Sequence, residues 1–152
     1  MASHVFAHLK DRGEVCELAS EFVKELVWRG EEVESRQFYV AAAQWDRIHN
    51  LLDKVEVIVT DSPLLQQLLY TDQETLKALL IEEHNKLNNL NIVLTRSKPF
   101  VQTGRLHSEE EARALDVKAL QILRRLGVPF TFAATDTHGV EAILTAIERK
   151  LA

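Results

Sequence analysis

The residues best suited to chemistry in this sequence are Thr60, Asp61 and Ser62, which end a short apolar run and precede Pro63. A carboxylate between two hydroxyls can hold a hydrated magnesium ion and meet phosphate oxygens. Asp61 also has a plainer use there, as the N-cap of a helix that Pro63 opens. Two other apolar runs end in polar residues, Ser20-Glu21 and Thr95-Arg96. His4 and His8 lie four residues apart and could share a metal, but no third ligand is near in sequence, so a solvated helix face is the expectation.

The elements that must carry these residues follow from hydrophobic periodicity. Val57-Ile58-Val59 is a continuous β-branched run, the pattern of a strand buried on both faces of a parallel sheet. Four strands are expected, Val15–Leu18, Val57–Thr60, Ile92–Thr95 and Phe130–Ala133. Between them helical spacing predicts helices over Met1–Arg12, Glu21–Arg29, Glu34–Leu52, Leu64–Tyr70 and Glu74–Leu87. The apolar stripe of the third is Phe38, Ala41, Ala42, Trp45, Ile48 and Leu52, with Gln44 and Arg47 on a neighbouring face. Ser108 and Glu111 form a capping box ahead of an amphipathic helix, and Val140 to Leu151 stripes the last one.

Helices alternating with short buried strands predict an α/β fold with a mostly parallel sheet covered on both faces, a three-layer α/β/α sandwich. If the strands run parallel, their polar ends converge on one edge, where ligands of open α/β sheets collect. Arg96 to His107 has no periodicity, carries Arg96, Lys98 and Arg105, and is long enough to be a functional loop. The turn Thr135–His138 is polar.

Composition narrows the classes. A length of 152 residues fits one domain, and a net charge of −5 argues against a nucleic-acid backbone as partner. The single cysteine, Cys16, rules out an internal disulfide and reads as a buried, inert thiol. Neither a membrane-length apolar run nor a signal peptide is visible, which points to the cytoplasm and away from a membrane partner.

SEFVKELVWRG, VEVIVTDSPLL and LTRSKPFVQTGRLHSEEEARALD together resemble the P-loop kinase-like ATPases of phages and bacteria. That AAA-type group is related to the nicotinamide-riboside kinase domain and to deoxynucleoside and nucleotide kinases. The resemblance spans nearly the whole chain and implies a nucleotide-kinase-like P-loop NTPase fold with a lid at about 96–107. It implies ATP and Mg2+ as cofactors, and phosphoryl transfer to a nucleoside, nucleotide or similar small metabolite as the parent activity. By position, Glu21 matches the residue that contacts the acceptor hydroxyl and can act as its base. Asp61 matches the metal-holding Walker B-like carboxylate, and Arg105 the lid arginine that neutralises the transferring phosphoryl group. Arg96 and Lys98 belong to the same lid, Gln44 and Arg47 to the substrate side, and Thr135 and Asp136 to the packing of the base.

The departure is the phosphate cradle. No G-x-x-x-x-G-K-[ST] occurs, and the five glycines are dispersed. By the resemblance, the chain starts about one turn after the phosphate-binding lysine and lacks the first strand. In the family's topology that strand lies between Val57–Thr60 and Ile92–Thr95, which are therefore expected either to pair directly or to stand apart. Two origins fit: a shortened kinase-like ATPase, inactive without its P-loop, or a non-catalytic interaction module that kept the scaffold. The identity of the acceptor and the oligomeric state stay open.

Overall fold

The computed structural model describes residues 1–95 and 108–152. In order, the elements are α1 (Ala2–Asp11), β1 (Cys16–Ala19), α2 (Val23–Trp28), a 3-10 turn (Glu34–Arg36), α3 (Gln37–His49), β2 (Val57–Thr60), a 3-10 segment (Leu64–Leu69), α4 (Glu74–Asn85), β3 (Asn91–Thr95), α5 (Glu109–Arg125), β4 (Phe130–Ala134) and α6 (Thr137–Leu151). The expected strands form within a residue of their predicted bounds. The stretch expected to be helical over Leu64–Tyr70 winds as 3-10 helix, and the predicted capping box at Ser108 is present.

All strand pairing is parallel, but it divides in two. β1 pairs with β2 in the register Cys16↔Val57 to Ala19↔Thr60. β3 pairs with β4 from Asn91↔Phe130 to Thr95↔Ala134. Among the described residues β2 and β3 are not joined by hydrogen bonds, so there are two two-stranded sheets in place of one of four strands. Of the two arrangements expected for β2 and β3, they stand apart. β2 is consequently only half-buried along its length, short of the full burial that Val57-Ile58-Val59 predicts.

Side-chain packing nevertheless brings all four strands together. Val5 and Leu9 of α1 and Val140, Ile143 and Leu144 of α6 form one core cluster with Cys16, Val57, Val59, Ile92 and Ala133. Ala19 and Ile58 contribute to a second cluster with Ala41 and Ile48 of α3, Leu64, Leu65 and Leu68, and Leu76 and Leu80 of α4. The alternation along β2 thus sends Val57 and Val59 one way and Ile58 the other. On β4, Ala133 faces α6 while Phe132, on the opposite face, is 52% exposed. No residue of α5 is fully buried. No helix among the described residues is long and apolar enough to cross a membrane.

Cys16 is buried, and burial raises its thiol pKa, as expected of an inert core cysteine. His84 on α4 is buried too, and burial holds its imidazole below the usual 6.5. A depressed folded-state pKa on a base means that the unfolded chain binds more protons below about 6.5, so stability falls as the pH drops through that value. In urea titrations at pH 7.5 and 5.5, His84→Gln is expected to lose less stability on acidification than the parent. Equal losses would show that His84 does not titrate on unfolding.

Candidate functional site

The site forms where β1 and β2 end side by side. The Ala19↔Thr60 pairing places Ser20-Glu21 next to Asp61-Ser62. The Glu21 backbone N–H donates to Asp61 Oδ1 at 3.0 Å. Asp61 is therefore held by the neighbouring strand's loop and does not cap the 3-10 segment after Pro63, whose N-terminus has no side-chain cap. The two hydroxyls beside it are structural. Thr60 Oγ1 donates to the Ala19 carbonyl at 2.7 Å and accepts from Ser62 N–H, which fastens the ends of the two strands. Ser62 is buried, and its hydroxyl accepts from Gln67 Nε2. Of the triplet, only Asp61 is exposed.

Gln44 and Arg47 reach the same place from α3. The buried face of α3 is Val40, Ala41, Gln44 and Ile48, whereas Phe38 is 65% exposed. Of the predicted stripe, Ala41 and Ile48 are buried and Trp45 packs against the core, but Phe38 and Ala42 are exposed and Gln44 is buried instead. The reason is polar: Gln44, 1% exposed, accepts the Phe22 N–H through Oε1 at 2.9 Å. An unpaired buried N–H costs about 1–3 kcal/mol, enough to draw an amide into an apolar face. Among the described residues Gln44 Nε2 has no hydrogen-bond partner. Arg47 donates to the Ser20 carbonyl and hydroxyl at 3.2 and 3.0 Å, pairs with Glu25, and lies over the Phe22 ring at 5.2 Å. The Arg47 bond holds the Glu25 carboxyl below the usual carboxylate range.

Sequence reasoning missed Glu25, Tyr70 and Asp116. The Tyr70 phenol is pushed up by burial and then by the charge of Glu21, with Asp116 raising it further and a hydrogen bond from Gln66 opposing. Tyr70, which follows the 3-10 segment, therefore lies within reach of the charges of both Glu21 and Asp116. Glu25 was findable, since it follows Glu21 by one helical turn; Asp116 carried no local signal.

The remaining candidates lie elsewhere. Asp136 is the N-cap of α6, accepting from Gly139 N–H at 2.9 Å, and Thr135 sits with it in the short β4–α6 connection. Arg96, Lys98 and Arg105, with the proposed lid, fall outside the described residues. His4 and His8 are exposed, and no group of three or more metal-ligating side chains occurs among the described residues. Asp61 alone could contribute to a magnesium ion, which commonly takes one or two carboxylates and completes its shell with phosphate and water. Nothing in the sequence supplies the glycine-rich cradle and lysine that a triphosphate needs, so the residues present do not fit ATP. Compared with protein-family models, curated proteins and solved structures, the chain has no significant match.

Proposed function

We propose that this chain is the acceptor-binding part of a P-loop NTPase of the nucleotide-kinase kind, built on a three-layer α/β/α plan. Its parent activity is phosphoryl transfer from ATP to a nucleoside, nucleotide or similar hydroxyl-bearing metabolite. The observation that carries this reading is the division of the parallel strands into β1–β2 and β3–β4. The resembled family places its first strand, and after it the phosphate loop, between the equivalents of β2 and β3. The exposed Asp61 carboxylate beside Glu21 at the carboxyl ends of β1 and β2 supports it further, because ligands of parallel sheets bind there.

In this reading Glu21 receives the acceptor hydroxyl as hydrogen-bond acceptor and base. Asp61 orients the Glu21 loop through its N–H and offers its carboxylate to the metal side. Arg47 and Gln44 are positioning residues: Arg47 holds Ser20 and Glu25, and Gln44 fixes Phe22.

An amide NMR titration with nucleosides and nucleoside monophosphates tests the proposal. Saturable shifts at Glu21, Phe22, Asp61 and Ser62, weakened at least tenfold by Glu21→Gln, are expected. Absence of shifts at these amides with every nucleoside and monophosphate would overturn it.

A further inference from the structure

A cavity of about 510 Å³ opens between the end of the 3-10 segment, the start of α4 and the second half of α5. The cleft is open to solvent and lined by polar and apolar groups in similar measure. Leu68, Leu69 and Ile122 supply an apolar wall, and Lys77, Lys118 and Arg125 supply cations against the single carboxylate of Asp72. Lys118, Ile122 and Arg125 follow one another at helical spacing, so a single face of α5 presents two cations around an apolar residue. A smaller cavity of about 220 Å³ shares Leu68, Lys77 and Arg125 with the first and extends along α4 past Ala78 and Ile81.

The charges here run against the rest of the molecule. The chain carries a net charge of −5, yet Lys77, Lys118 and Arg125 outnumber the carboxylates of Asp72 and Glu74 that line the two cavities. Lys77 is paired with Glu74 at 2.8 Å, and the charge of Arg125 also lowers the Glu74 carboxyl. Lys118 makes no ion pair among the described residues. Cations over an apolar wall suit a ligand with the opposite arrangement, an anionic head on an apolar body.

We infer that the cleft between α4 and α5 is a binding site for a small amphipathic anion, a carboxylate or phosphate monoester on an aliphatic or aromatic group. The head lies among Lys118, Arg125 and Lys77, and the body runs over Leu68 toward Ile81. The site uses none of the residues assigned to the acceptor, so either reading can fail alone.

Calorimetry and amide NMR on the 152-residue chain with octanoate, octyl phosphate and the neutral octanol test it. Octanoate or octyl phosphate is expected to bind at least tenfold more tightly than octanol, with shifts at Leu69, Thr71, Lys118 and Ile122. Lys118→Glu and Arg125→Glu, both on the exposed side of α5, should each weaken the anion at least tenfold, whereas Arg113→Glu, earlier on the same helix, should not. Equal binding of octanol, unchanged affinity in both charge-reversal variants, or shifts confined to Glu21 and Asp61 would each overturn the inference. So would failure of both anions to bind at millimolar concentration.

Discussion

Gly139→Ala is expected to destabilise the protein by about 3 kcal/mol or more, at or above the upper end of the usual 1–3 kcal/mol for overpacking. Gly139 lies in the first turn of α6, and only Thr135 and Asp136 connect that helix to β4. A Cβ there would stand 2.8 Å from the Ala134 carbonyl carbon and nearer still to its oxygen. Both are backbone atoms of β4, so relief requires α6 to move off the strand. That movement would strip Val140, Ile143 and Leu144 from the cluster that also holds Cys16 and Ala133. Gly127 is the control. Its φ of 65° disfavours a side chain, but nothing lies within 4 Å, so alanine there should cost only about 1 kcal/mol. Urea unfolding of the two variants checks the contrast, and equal midpoints would refute the close-contact account.

Magnesium-ATP is expected to bind the 152-residue chain no better than millimolar, although Glu21 and Asp61 stand together. A P-loop grips phosphates through backbone N–H groups and a lysine at a helix N-terminus, and the sequence has no such motif. Each charge-assisted hydrogen bond is worth about 1.5–3 kcal/mol, so losing two weakens binding by roughly two to four orders of magnitude. A micromolar kinase site would become millimolar or weaker. Calorimetry with magnesium-ATP decides it. Micromolar binding would mean that another part of the chain supplies the phosphate contacts.

Local chemistry made much of this legible. Val57–Thr60 is a strand with its predicted bounds because β-branched runs and a following Pro leave little choice. Ser108 and Glu111 cap α5 as a reciprocal pair that needs only its own four residues. The convergence of Glu21 and Asp61 was readable from parallel strands ending in polar residues. What could not be read was set by distant partners. The burial of Gln44 goes with its bond to the Phe22 N–H, in a different part of the chain, while Phe38 and Ala42 of the predicted stripe stay exposed. Likewise Thr60 and Ser62 look like ligands in sequence, but Ala19 and Gln67 claim their hydroxyls. Asp136, which the resemblance matches to the packing of a base, caps α6, a use open to any aspartate before a helix.

The two-sheet arrangement also bears on how the molecule opens. Each sheet is closed by its own crossover, through α2 and α3 for β1–β2 and through α5 for β3–β4. A continuous sheet transmits unfolding along its ladder of backbone hydrogen bonds, and no such ladder joins β2 to β3. The halves are joined instead by apolar side chains, Val5 and Leu9 of α1 against Val57, Val59 and Ile92, and Ile122, Leu123 and Leu126 of α5 against the cluster of α3, α4 and the 3-10 segment. Apolar contacts weaken on cooling, whereas each ladder stays intact within its own pair. Cooling is therefore expected to loosen the coupling of the two sheets before either ladder opens, an order that amide exchange along β1–β2 and β3–β4 would read.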